Sequence, residues 1–261
     1  MKKLKVGVIG VGNISNEHIQ AYLKNPNVEL YAFCDINEKQ LAMMAEKYGV
    51  TRTYTDEETM LRELPELDAV SVCTWNFAHA PCTIAALNAG KHVLCEKPMA
   101  TTVEDAIAMK EAAEKNGKLL QIGFVRRFGN DCAVLQDFIQ EGTLGDIYYA
   151  KATYLRRNGN PMGWFGDKSR SGGGPLIDLG VHVIDLTRYL MGNPKPVSVF
   201  GVTFHKLGNR SELKDKKAYV SVSAKEGDVC DVEDMASAMI RYDNGAVLSV
   251  ETSFSLNLKK E

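Results

Sequence analysis

Three groups of residues in this 261-residue chain have types and spacings suited to chemistry. The first is Gly10-Val11-Gly12-Asn13-Ile14-Ser15, which follows the apolar run Leu4–Ile9 and opens a polar, helix-like stretch. Gly10 permits a tight turn, and Gly12 lets a pyrophosphate approach the backbone. The start of the helix adds unsatisfied N–H groups and the positive end of a dipole. Ser15 takes the place of a third glycine and is small enough to keep helix and sheet close. Asp35 ends the second apolar run, twenty residues after Ser15. A carboxylate there accepts hydrogen bonds from both ribose hydroxyls of NAD and repels the 2′-phosphate of NADP. The next cation, Lys39, offers no adjacent arginine cradle. The expected cofactor is therefore NAD rather than NADP, held by Gly10, Gly12, Asn13, Ile14 and Asp35.

The second group is Cys95-Glu96-Lys97-Pro98. Pro98 biases Lys97 away from helical geometry, so the lysine is expected in extended backbone at the carboxyl end of a central strand. Open α/β sheets bind their ligands at that edge. A lysine there can hydrogen-bond a substrate oxygen and stabilise alkoxide charge; the competing reading is a solvated surface charge. The third group lies in Gly172-Gly173-Gly174-Pro175-Leu176-Ile177-Asp178-Leu179-Gly180-Val181-His182-Val183-Ile184-Asp185. Asp178 and His182 are four apart and share a helix face, which Asp185 roughly continues. A carboxylate beside an imidazole makes a tuned acid–base pair; alternatively, the pair is a polar network holding a helix end. Two ligands are too few for a metal, and none is expected.

Alternating elements must position these groups. Up to residue 124, the short runs Leu4–Ile9, Leu30–Cys34, Ala69–Cys73, His92–Cys95 and Leu119–Phe124 read as buried parallel strands. Helical stretches Glu17–Leu23, Glu38–Tyr48, His79–Ala89 and Val103–Asn116 separate them, with stops at Gly49, Gly90 and Gly117. In the last helix, Val103, Ala106 and Ile107 read as a stripe. This alternation predicts a doubly wound parallel sheet over residues 1–124. From residue 125 the rhythm changes: a helix over Cys132–Glu141, a strand over Ile147–Leu155, a Gly-rich loop Arg156–Gly174 and a helix over Pro175–Met191. Strand-like runs Val197–His205, Val229–Tyr242 and Ala246–Phe254 follow, the last two joined at Asp243-Asn244-Gly245. Residues 125–261 are thus expected to form an α+β domain with an open, mainly antiparallel sheet. Long loops in compact domains tend to be functional, and polyhydroxylated substrates suit an aromatic platform with polar arms. Trp164 and Arg157 are the loop's candidates for substrate contact, with Asn158 and Asp167 behind them. His92 reads as structural, and His18 as a capping or packing residue of the first helix.

Composition bounds the rest. Thirty-three acids against thirty-one bases leave no positive excess for nucleic acid. No window approaches the length of a membrane span, so no membrane partner is expected. The six cysteines show no CxxC spacing, and a reducing cytoplasm is the expected setting.

The set GVGNIS, Asp35, CEKP and GGGPLIDLGVHVIDL resembles the glucose–fructose oxidoreductase/inositol dehydrogenase/rhizopine-catabolism (Gfo/Idh/MocA) family over essentially the whole chain. The resemblance implies a Rossmann domain followed by an open-sheet α+β domain. It implies NAD(P)-dependent oxidation or reduction at a sugar or cyclitol carbon. By motif, Lys97 takes the family's catalytic lysine position and, with Glu96, is also expected to contact the cofactor, and Asp178 and His182 take the family's acid–base positions. Thr74, Asn76 and His79 match a second cofactor loop, in which Trp75 stands where the family has proline, and Arg127 matches a recurring position near the site. Family members run well past 300 residues, so the chain is expected to be a C-terminally truncated form. The expected function is an NAD-dependent oxidoreductase; an NAD-dependent glycoside hydrolase of the same family and a non-catalytic NAD/sugar sensor are the alternatives. The open sheet of the second domain is the expected interface of a homodimer or homotetramer.

Overall fold

The computed structural model describes residues 2–207 and 219–256, so the closing residues 257–261 lie outside it. The chain divides into two units, Met1–Gly123 and Phe124–Glu261. In the first, the elements run β1 (Leu4–Ile9), α1 (Ser15–Lys24), β2 (Val28–Cys34), α2 (Glu38–Tyr48), β3 (Thr53–Tyr54), α3 (Glu57–Glu63), β4 (Ala69–Val72), α4 (His79–Asn88), β5 (His92–Cys95), α5 (Val103–Asn116) and β6 (Leu120–Ile122). All strands pair in parallel, in the order β3-β2-β1-β4-β5-β6. Strands too short for helices and rich in Val and Ala need cover on both faces. Val8, Phe33 and Cys73 pack against Ile19 of α1 and Leu41 and Met44 of α2. Ile9, Val72 and Cys95 pack against Met60 of α3, Ala86 of α4 and Met109 of α5 on the other.

Two elements of this unit escape the hydrophobic pattern. β3 has two residues and α3 seven, too few for a period to register. Asp56 does mark α3: its carboxylate accepts the Thr59 N–H at 2.7 Å, and Glu57 and Glu58 load the first turn. The stripe expected on α5 is also displaced. Val103 is 70% exposed and Ile107 50%, while Met109, Ala112 and Ala113 are buried. Alanines form the packed face because α5 lies close to α4, and small side chains give a weak apolar signal.

The carboxyl edge of the sheet is fixed by a buried histidine. His79 Nδ1 lies 2.7 Å from the Pro98 carbonyl oxygen, and Nε2 lies 3.2 Å from that of Thr74. The ring ties the loop after β4 to the loop after β5. Burial pushes its pKa below the usual histidine value, outweighing the two carbonyls.

In the second unit a short 3₁₀ turn (Val125–Phe128) precedes α6 (Asn130–Gln140) and β7 (Tyr149–Leu155). The segment expected as a bare loop, Arg156–Gly174, contains a 3₁₀ turn (Gly163–Phe165) and α7 (Lys168–Ser171). A π turn (Leu176–Gly180), α8 (Val181–Leu190), β8 (Pro196–Phe204), β9 (Met235–Tyr242) and β10 (Val247–Ser253) complete it. The sheet order is β7-β10-β9-β8. β10 runs antiparallel to β9 and parallel to β7, so the sheet is mixed and mostly antiparallel. Leu176, Val183 and Ile184 pack on Ala152, Leu248 and Val250, which covers one face.

The run expected to pair from Val229 enters the ladder only at Met235. Acids at and just before its start serve loops instead: Asp228 accepts N–H bonds from Gly163 and Lys225, and Asp231 accepts one from Lys168. The helix expected over Pro175–Met191 is likewise not uniform, since its first turn is π. A side chain at Gly174 would overlap the Glu233 carbonyl, which explains the glycine there.

Two outcomes follow. Met109→Ala should cost about 2–5 kcal/mol in chemical denaturation, whereas Val103→Ala should stay within about 0.5 kcal/mol; the reverse ranking would put the packed face of α5 on the wrong side. His79 titrates below its unfolded value, near 6.5, so the unfolded chain binds the extra proton first as the pH falls. The stability that the neutral ring provides is then complete above about pH 6.5 and declines below it. The gap in urea midpoint between parent and His79→Gln should therefore narrow from pH 7.5 to 5.5. A gap that widens over that range would contradict the assignment.

Candidate active site

The turns after β1, β2, β4 and β5 at the carboxyl edge of the first unit are held by side chains. Gly10 has φ +84°, and a Cβ there would sit 2.7 Å from backbone atoms of Cys73 and Thr74. Only glycine lets the loop after β1 lie that close to the loop after β4. Buried Ser15 donates its hydroxyl to the Gly12 carbonyl at 2.7 Å, closing the loop from below. Asp35 fastens the loop laterally: Oδ2 accepts the Val11 N–H at 2.7 Å and Oδ1 accepts the Asn37 N–H at 2.8 Å. Gln40 completes the link by donating to the Val11 carbonyl.

These residues fit a dinucleotide. No side chain caps α1 at Ile14, and the positive end of the helix dipole opens at the glycine loop, where an anion is favoured. Asp35 is half-buried, and each carboxylate oxygen that accepts one N–H keeps acceptor capacity for a ribose hydroxyl.

Lys97 is half-buried two residues past the end of β5, at the edge where the sequence expects it. Its own N–H donates to Glu96 Oε2 at 3.1 Å. Buried Glu96 also receives His18 Nε2 at 2.8 Å on Oε1. Burial would raise the carboxyl's pKa, but the hydrogen bond and charge of His18 outweigh it and hold Glu96 below its ordinary value. His18 Nδ1 lies 3.1 Å from Ser71 Oγ, itself 2.5 Å from the Tyr22 hydroxyl. His18 is thus no cap: it ties α1 to β4 and to the Glu96–Lys97 turn. The sequence offered only the turn of helix between His18 and Tyr22; the partners are 53 and 78 residues away. Of the second loop, Asn76 and His79 are buried and Thr74 is half-buried. His79 directs both nitrogens at backbone carbonyls and reaches the site through the loops it holds.

In the second unit, Asp178 stands in the π turn and His182 in the first turn of α8, both half-buried. π turns recur at functional sites. Asp185, expected to extend their face, instead takes Arg127 in a bidentate pair, with Nε–Oδ2 2.8 Å and a terminal nitrogen 2.5 Å from Oδ1. The Arg127 guanidinium also lies 4.7 Å from the Tyr189 ring centroid. That pairing occupies donors the sequence left for a substrate. Trp164 stacks on buried Phe165 at 3.8 Å between centroids, which covers one face of its indole. Arg157 is exposed, and His92 serves structure by accepting the Leu119 N–H. Sequence reasoning passed over Tyr154, whose ring centroid lies 6.4 Å from that of His182. Strand alternation places it on the covered face of the sheet, but not beside a histidine.

The family described as an oxidoreductase family with an NAD-binding Rossmann fold matches residues 4–124. The GFO/IDH/MocA C-terminal domain matches residues 133–261. D-glucoside 3-dehydrogenase of Escherichia coli (strain K12) is 39% identical over 261 residues, covering 99% of this chain and 72% of the relative. Myo-inositol 2-dehydrogenase of Thermotoga maritima is 32% identical over 250 residues, covering 96% of this chain and 68% of the relative. Among solved structures, levoglucosan dehydrogenase in complex with NADH superposes with a TM-score of 0.84 at 30% identity, covering 98% of this chain and 68% of that one. The matches run through both units in the same order as the motifs, and the chain belongs to the Gfo/Idh/MocA family of NAD-binding oxidoreductases.

Proposed function

We propose that the protein is an NAD-dependent dehydrogenase that oxidises a secondary hydroxyl of a sugar, sugar derivative or cyclitol, or reduces the corresponding ketone. The observation that carries this reading is the pairing of an NAD-fitting glycine loop with Lys97 at the same sheet edge. The names of the relatives, which act on a glucoside, an inositol and levoglucosan, supply the substrate class. Bound NAD supplies the two-electron acceptor. His182 takes the proton of the reacting hydroxyl, and Asp178 orients the imidazole and stabilises its charged form. Lys97 holds the oxygen as negative charge grows on it. Gly10, Gly12, Asn13 and Ile14 bind the pyrophosphate, and Asp35 the adenosine ribose. Thr74, Asn76 and His79 shape the second cofactor loop, with Glu96 fixing the Lys97 backbone. Arg127, Arg157 and Trp164 contribute on the substrate side, Arg127 through the α8 face it stabilises.

Six unpaired cysteines suit a reducing compartment, which favours the cytoplasm. Among the described residues no helix is long and apolar enough to cross a membrane. The open sheet supports a homo-oligomer: Phe200 of β8 is 77% exposed and Met239, its neighbour on β9, 53%. An apolar patch of that kind is the usual mark of an interface.

A panel of glucosides, anhydrosugars and inositols with NAD, read by NADH absorbance, tests the proposal; no NADH from any of them would end it. With the best substrate, Lys97→Met should lower kcat by about 10²–10³ with NAD affinity nearly intact. A kcat within a few-fold of the parent would remove Lys97 from the chemistry. Asp35→Ser should narrow the preference for NAD over NADP by at least about tenfold, because a carboxylate no longer faces the 2′-phosphate. Tighter NADP than NAD binding by the parent, measured by calorimetry, would overturn the role of Asp35.

A further inference from the structure

Tyr154, on the covered face of β7, has its hydroxyl oxygen held by two guanidiniums. Arg156 donates to it at 2.8 Å and Arg126 at 3.5 Å. Both cations also lie over the ring, at 5.0 and 5.9 Å from its centroid. A guanidinium donates and never accepts, and a phenol oxygen has two lone pairs and one proton. With donors on the lone-pair side, the phenol's hydrogen is the part that points onward. His182 stands beside the same ring. The geometry points to Tyr154 as a specificity-determining residue: its O–H, oriented by Arg156 and Arg126, donates to an oxygen of the polyol substrate next to the hydroxyl that His182 deprotonates. This rests on the dehydrogenase reading above.

The surroundings set the pH behaviour. Burial would raise the pKa of Tyr154, but the hydrogen bond and charge of Arg156, then the charge of Arg126, outweigh it and lower it from the ordinary 10. The groups facing it are Arg126 from the 3₁₀ turn, Arg156 beyond the strand, and His182 of α8. Asp178 is on the π turn that packs on β7. Lys151 and Glu251 pair with each other on adjoining strands, three residues before Tyr154 and one before Thr252, and so on the other face. A donor phenol must be protonated, so activity should fall on the alkaline side below pH 10.

The test uses the full chain with the best substrate of the panel. Tyr154→Phe keeps the ring and removes the oxygen. It should lower kcat/KM by roughly 10- to 100-fold, the worth of one strengthened hydrogen bond, mostly through KM and without change in NAD affinity. It should also erase the alkaline limb. Arg156→Gln removes positive charge, raises the phenol's pKa and should move that limb to higher pH while the phenol still donates. A Tyr154→Phe enzyme within twofold of the parent, with the alkaline limb in place, overturns the proposal. So does an Arg156→Gln profile in which the limb moves to lower pH. If the parent oxidises no member of the panel, the dehydrogenase reading fails and this assignment falls with it; an active parent with an indifferent Tyr154→Phe sinks this assignment alone.

Discussion

Backbone groups that leave a strand ladder must find new partners, and the carboxyl edge of the parallel sheet is where that demand concentrates. A loop that must lie open to a ligand cannot satisfy itself by burial. In the first unit single side chains supply the missing bonds. Asp35 takes the Val11 and Asn37 amides, His79 faces the Thr74 and Pro98 carbonyls, and Glu96 takes the Lys97 amide. These are also residue types a cofactor site needs, so in the proposed function holding the loops and meeting the ligand fall to the same few side chains. Asp35 shows the economy best: one oxygen accepts an amide of the glycine loop, the other an amide of its own turn, and each retains capacity for a hydroxyl.

The same demand explains why charge is buried beneath Lys97. Glu96 is buried, where an isolated carboxylate is costly. His18 reaches it across the sheet from α1, and Ser71 and Tyr22 complete the chain of bonds. The helix that opens beside the glycine loop is thereby bound to the turn that carries the lysine. Removing one partner of such a buried pair leaves the other uncompensated, so the pair persists as a unit.

How much of this the sequence discloses depends on range. Gly10, Asp35 and Lys97 are legible because each is defined by its own strand end and the few residues around it. The strand and helix alternation is legible for the same reason, since a buried strand announces itself in four to seven residues. His18 pairing with Glu96 is not, because the contact joins elements 78 residues apart and neither residue type requires the other. The packed face of α5 is illegible because alanines carry most of it. The start of β9 shifted because carboxylates of the preceding segment are engaged by loop amides, which a pattern of apolar residues does not register.

Arg126 and Arg127 show the limit most sharply, since they are neighbours of one type with opposite surroundings. They lie in a 3₁₀ turn, where successive side chains diverge by about a third of a circle. One step sends Arg127 to α8, where Asp185 cancels its charge in a bidentate pair. The other sends Arg126 to β7, where a phenol, neutral when protonated, receives it beside Arg156. A carboxylate partner makes a guanidinium a fastener, whereas a phenol partner leaves its positive field in place to act on whatever the phenol touches. The positive charge left uncompensated in the second unit is therefore decided less by which basic residues it has than by which of them find an acid.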